Sequence, residues 1–337
     1  MNPIERGVRN LDKFQQRHGP AAFVFAVIKK FGDDQGGNLA ALLTYYAFLS
    51  VFPLLLVLIT VLGIALRNSP SLQHRVLNSA LVEFPVIGTQ LKNNIHSLNG
   101  TGIGLAIGLI GSFLGARGVA SAMQNAMNAL WQVPYARRPG FPWNQLRSIG
   151  VLLALGAGLI ITGALSGLGG GTGTLGAGIR IGVLVLSLLL NVGLFTLAFR
   201  LATAKEVRTG QLVPGAVLTA ISWQVLQALA GYVISHALRH ATAVYGTFGL
   251  VLGLLSWLYL QAQVTLYAVE ADVVREKHLW PRSITQPPLT EADKRSMEGY
   301  AEKEQRRPEQ DVNVEFDPQA SADPQASAHA EKDPAGH

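Results

Sequence analysis

Tyr45, Tyr46 and Ser50 stand in the middle of NLAALLTYYAFLSVFPLLLVLIT, residues 38 to 60, with Pro53 three positions further on. Asn191, Gln224, Gln227, Ser256 and Gln263 interrupt later apolar runs, and Glu270 with Asp272 closes the last of them. Hydroxyls, amides and an acid placed this way have two uses. They can line a path for a polar headgroup or ion, or they can fasten one helix to another.

Side chains suited to catalysis are sparse. The absence of cysteine excludes disulfides, thiolate nucleophiles and Cys-ligated metals. His236 and His240 have the i, i+4 spacing of metal ligands, yet no acid or third histidine accompanies them, so no metal and no cofactor are expected. GTGTLG at 171 to 176 matches a dinucleotide-binding pattern without the preceding strand that gives it meaning, and reads as a flexible connection. No phosphate-binding G-x-x-x-x-G-K-[ST], H-E-x-x-H or G-x-S-x-G sequence occurs. The expectation is a protein that is not an enzyme.

The elements that carry these residues follow from composition. Hydrophobic residues make up 49% of 337 and charged ones 14%, against about 25% charged in a soluble domain. Six apolar runs are long enough to cross a bilayer, near 39–66, 101–116, 148–170, 181–199, 212–236 and 245–269, the second continuing past Arg117. Lys and Arg cluster before the first run and in the second-to-third and fourth-to-fifth connections, the pattern of loops retained on the cytoplasmic side. The fold expected is all-α: a polytopic helical membrane protein with six transmembrane helices and both termini cytoplasmic, in the plasma (inner) membrane. Residues 1–37 form a cytoplasmic segment whose Phe23, Val24, Val27, Ile28 and Phe31 share one face, with Lys29 and Lys30 elsewhere. This is either an interfacial helix or one packed on the bundle. Residues 38–282 form the membrane domain, with 67–100 as an external capping segment. Residues 1–282 carry 21 Lys+Arg and 9 Asp+Glu, whereas 283–337 carry 6 and 12, with DPQASA repeated in tandem. That tail is expected to be a disordered acidic extension.

Within the spans, Gly104, Gly108, Gly111 and Gly115 draw a groove where a second backbone can approach. Gly249, Gly253, Ser256, Gln263, Tyr267 and Glu270 form a stripe on the last span, Gln224 and Gln227 another on the fifth, and Asn191 adds to the fourth. Such stripes are expected to face the interior or a wet cavity. Tyr46, Ser50 and Pro53 share a face of the first span, where Pro53 crowds the Leu49 carbonyl and Ser50 is placed to satisfy it. For Glu270 and Asp272, a salt bridge to a neighbouring arginine or hydration competes with a functional role.

TYYAFLSVFPLLL at 44–56, LVPGAVL before the fifth span, and VYGTFG with LLSWLYLQAQVTLYAVEAD at 244–272 resemble the YihY/BrkB family over roughly residues 20 to 280. The family's motif positions fall on Tyr45, Tyr46, Ser50, Pro53, Pro214, Gly215, Tyr245, Gly246, Trp257 and Glu270, and Ala268 replaces a frequent glycine. The resemblance implies a six-span plasma-membrane protein, with some relatives linked to movement of envelope lipids. Its old ribonuclease label finds no ligand cluster here. Two functions are open: a transporter or flippase-like protein for an envelope lipid or other amphiphile, or a structural protein of envelope assembly. The partners expected are membrane lipids and a homo-oligomer or envelope-assembly protein, and no nucleic acid.

Overall fold

The structure, a computed structural model, describes residues 3–65, 102–151, 154, 158, 177–233, 239–286 and 288–317. The expected external segment at 67–100, most of the third span, the GTGTLG loop, His236 and the tail beyond 317 lie outside them. The regular elements are helices: α1 (Pro3–Arg17), α2 (Gly19–Asp33), α3 (Gly36–Ala65), α4 (Gly102–Leu130), α5 (Ala177–Ala202), α6 (Thr209–Val233), α7 (Arg239–Glu276) and α8 (Glu291–Lys303). A further helical stretch begins at residue 143. Among the described residues there is no strand.

Length separates what crosses the bilayer from what does not. Three described stretches, Ile181–Ala202, Thr209–Leu229 and Val251–Glu276, are long and apolar enough to span. At 1.5 Å per residue α7 extends about 57 Å, well beyond a hydrocarbon core of about 30 Å. The excess belongs to a base in which α2 packs along the C-terminal half of α7. Phe31 stacks on Tyr267 at 3.8 Å and Phe23 meets Trp280 edge-on, so α2 and α7 run antiparallel. The core lies in this base, around Met127, Leu130, Phe199, Leu212, Leu266 and Val273. The outer faces of α5 and α6 instead present Leu184, Leu189, Ile221 and Val225 to the surroundings, as hydrocarbon requires.

The face of α2 differs from the expected one. Ala22, Ala26, Val27, Lys30 and Phe31 are buried while Val24 and Ile28 are exposed. The small alanines let α7 approach, and Lys30, one turn after Ala26, falls on the same buried line. Residues 283–286 and 288–303 form an ordered stretch within the segment expected to be disordered, because Thr290 caps α8 in a reciprocal capping box with Asp293 and the helix packs onto the base. Its acids are structural partners there, which composition alone does not reveal. Ser50 donates to the Ala47 carbonyl and not to Leu49, since a helical serine folds back onto the preceding turn.

The glycine groove on α4 receives α3. A Cβ on Gly115 would lie 2.8 Å from Ser50 Cβ and 2.9 Å from its Cα, and one on Gly118 would strike the Tyr46 ring. On the other side of the bundle a Cβ on Gly215 would come 3.0 Å from Asp272 Oδ2 and 3.3 Å from the Ala268 carbonyl oxygen. The close approach that Ala268 leaves open is therefore supplied by Gly215. Gly115→Leu should lower stability by about 1–3 kcal/mol through overpacking against backbone, whereas Gly193→Ala, where a Cβ meets nothing within 4 Å, should leave the melting temperature in detergent near that of the parent.

Candidate functional site: a buried charge cluster beneath a polar seam

Four amides make up the polar seam. Asn191 on α5 is buried, and Gln224 and Gln227 on α6 and Gln263 on α7 are half-buried. The helices that carry them pack in order, α5 on α6 and α6 on α7. Tyr46 is half-buried against the core, but Tyr45 is 56% exposed and Ser256 is also exposed, so neither joins the interior. Consecutive helical residues point about 100° apart, which forbids Tyr45 and Tyr46 the same side. Ser256 belongs to a strict seven-residue series with Gly249, Gln263 and Glu270, and such a series drifts by about 20° per heptad around a straight helix. Gly111, Gly249 and Gly253 are half-buried. Pro53 lies on α3, Gly104 and Gly108 on α4, and Tyr245 on α7.

Below the seam, ionisable groups from α2, α7 and α8 converge. Lys30 is wholly buried. Its Nζ lies 2.9 Å from Glu270 Oε2, pairs with Asp34 one turn on, and donates to the Leu130 carbonyl at 2.9 Å. Glu270 therefore meets a lysine from α2, not the arginine or water anticipated from the sequence. Burial alone would pull the Lys30 ammonium down, but the Glu270 and Asp34 carboxylates outweigh it and hold the group above its ordinary value. Lys303 reaches Asp34 at 3.5 Å from α8. Burial raises the nearby Tyr300 phenol; Lys30 opposes this, and the Asp34 and Asp33 carboxylates reinforce it.

A second cluster fixes α8. Asp293 Oδ1 accepts from Lys29 Nζ at 3.0 Å and Arg282 Nε at 2.9 Å, while Oδ2 accepts from Ser283 N, Ser283 Oγ and Thr290 Oγ1. Burial would raise the Asp293 carboxyl, but the donors from Ser283, Thr290 and Lys29 prevail and hold it below the usual carboxylate range. Arg282 Nη1 also donates to Asp33 at 2.8 Å. Asp12 of α1 accepts from the Ile284 amide and the Thr285 hydroxyl, each at 3.0 Å.

A cavity of about 620 Å³ opens beside the Lys30 cluster, lined in part by Gln132, Arg137, Glu206, Gln211, Glu276 and Lys277. Lys277 donates to Gln132 Oε1 at 3.0 Å. Burial, with help from the Lys30 charge, pulls its ammonium down to about 8. Among the described residues no His, Cys, Asp and Glu side chains group as a metal site.

Residues 27–291 match the family described as virulence factor BrkB. The chain belongs to the BrkB family. It is 28% identical over 264 residues to a protein of Dickeya dadantii (strain 3937), covering 71% of this chain and 78% of that one. It is 24% identical over 272 residues to the inner membrane protein YhjD of Escherichia coli (strain K12), covering 75% and 80%. A UPF0761 membrane protein of Alcanivorax borkumensis is 26% identical over 274 residues, of which this chain spans 62% of the length. No solved structure matches the chain. Family and apolar helices together make it a multi-pass inner-membrane protein. The match reaches further than the motifs quoted above, taking in Lys29, Lys30, Asp34, Arg282 and Ser283.

Sequence reasoning reached Glu270 but missed Lys30, Asp34, Arg282 and Asp293. Two signals were there to find: Lys30 and Asp34 at i, i+4, and Thr290 three residues before Asp293 as a capping box.

Glu270→Ala should destabilise the protein by about 3–5 kcal/mol, the cost of leaving one partner of a buried pair behind, and the Lys30→Met/Glu270→Ala double variant should recover part of that loss in a thermal-melt cycle. Lys277 gives a pH test. Its pKa is about 8 when folded and about 10.4 when unfolded, so between these values only the unfolded chain holds the proton and stability rises with pH. The melting-temperature advantage of Lys277→Met over the parent should be largest below pH 8 and shrink as the pH climbs toward about 10.4.

Proposed function

We propose that the chain is a non-enzymatic transporter or flippase-like protein for an envelope lipid or another amphiphile, built from six spans with both termini cytoplasmic. The observation that carries this reading is the seam of buried and half-buried amides on three successively packed helices, Asn191, Gln224, Gln227 and Gln263. Amides at bilayer depth are costly against acyl chains, and a row of them offers hydrogen bonds to a polar headgroup while its tails remain in lipid. Below the seam the Lys30, Asp34 and Glu270 cluster ties α2 to α7 and closes the base. The adjoining polar cavity of about 620 Å³ is within the range of small-molecule pockets and lies where a headgroup would enter or leave. The six-span count and cytoplasmic termini draw their support from the basic connecting segments.

Fluorescent-lipid translocation in proteoliposomes tests the reading. The parent should move lipid above the protein-free background, and Gln224→Leu and Gln263→Leu should each slow it. Background rates for all three, together with a stoichiometric crosslinked partner in native membrane, would favour the structural role in envelope assembly instead. That alternative cannot use the Gly115 and Gly118 positions of α4 as its docking groove, because α3 fills them.

A further inference from the structure

Two arginines at the cytoplasmic end of the bundle are left outside both charge clusters. Arg147 Nη1 donates to the Thr203 carbonyl at 3.1 Å, and Arg200 Nη1 donates to the Ala204 and Val207 carbonyls at 3.4 and 2.9 Å. Both guanidinium groups thus grip the turn 203–207 that follows α5, and they lie close enough to repel. Burial and the Arg200 charge both draw Arg147 below the ordinary guanidinium value, with Glu206 opposing. Among the described residues neither arginine has an ion-pair partner. A guanidinium has five N–H donors in a planar fork. The bonds to the turn use only part of that capacity, so the two forks present unspent donors and two positive charges together.

Their surroundings are those of a membrane interface. Phe141 is 85% exposed and Trp143 67%, and Trp143 lies one helical turn before Arg147. Leu146 and Ile149 are exposed on the same helical stretch. Gln124 of α4 donates to Ser148 Oγ at 3.1 Å, holding the stretch against the bundle so that these side chains point away from it. Aromatic side chains at the water boundary, followed by aliphatic ones toward the bilayer, are how a span meets the headgroup layer. Two unpaired guanidiniums at that depth match a phosphodiester with acyl chains.

We propose that Arg147 and Arg200 jointly hold the phosphate of an anionic glycerophospholipid in the cytoplasmic leaflet, its acyl chains running along Leu146 and Ile149. This site stands whether or not the chain moves lipid. Native mass spectrometry of the full chain in neutral detergent, titrated with dioleoylphosphatidylglycerol or dioleoylphosphatidylcholine, provides the test. The parent should retain phosphatidylglycerol over phosphatidylcholine. Arg147→Gln should weaken that retention by roughly tenfold or more, and the Arg147→Gln/Arg200→Gln variant further. Arg17→Gln, at an exposed position on α1 outside the pair and the cavity, should bind as the parent does. Equal phosphatidylglycerol retention by the parent and the double variant would overturn the site. Should loss of the Arg200 bonds prevent folding, Arg147→Gln alone decides, since it gives up one backbone bond, and retention equal to the parent's would again overturn the site. Inorganic phosphate is the competitor. Failure to displace the lipid supports a lipid site, and full displacement at millimolar phosphate would identify a free-anion site and overturn the lipid assignment.

Discussion

A lysine ammonium removed wholly from water is the constraint on which the base of the bundle depends. An isolated charge of that kind costs many kcal/mol, and it persists only when opposite charge and hydrogen bonds surround it. Lys30 has both: Glu270 from α7, Asp34 from its own helix end, and the Leu130 carbonyl from the end of α4. Each partner comes from an element that must be in register for the charge to be satisfied. The cluster therefore specifies where α2, α4 and α7 meet, independently of whatever net stability it adds. Around it, Asp293 and Asp12 repeat the device with α8 and α1, so that segments remote in sequence are tied through carboxylates that accept several donors each.

Two solvents shape the rest. Toward the bilayer the helices present leucine, isoleucine and valine outward and keep amides inward, and contact between α3 and α4 relies on the missing side chains of Gly115 and Gly118. At one end of the bundle the same helices continue into a packed base with a conventional apolar core and buried ion pairs. Since α7 runs through both regions, Glu270 in the base and Gln263 in the seam share one continuous helix, two turns apart.

Fold class was legible because apolar runs and basic loops are strong, local signals, and no strand occurs among the described residues. The glycine groove was legible for the same reason: its spacing is periodic and its purpose steric. Lys30 was not, because a lysine beside an apolar face is ordinarily solvated, and only its distant partner Glu270 makes burial tolerable. Ser256 follows a seven-residue stripe that drifts around a straight helix, and Tyr45 stands one residue from the inward-facing Tyr46, so both candidates are exposed. In the segment after residue 283 average composition concealed a specific use, since one aspartate at a helix start, met by Arg282 and Lys29, orders a stretch whose overall charge reads as unstructured. Apolar length and glycine spacing thus survive reading from sequence, and long-range charge pairing does not.

Hydrogen exchange of the α2 amides in lipid nanodiscs, compared between the parent and Glu270→Gln, reaches the central claim most directly. Strong protection across residues 26–31 in the parent, lost together with protection at the C-terminal half of α7 when the carboxylate is neutralised, is what a charge-tied base predicts. Identical, unchanged protection of α2 in both proteins would contradict it.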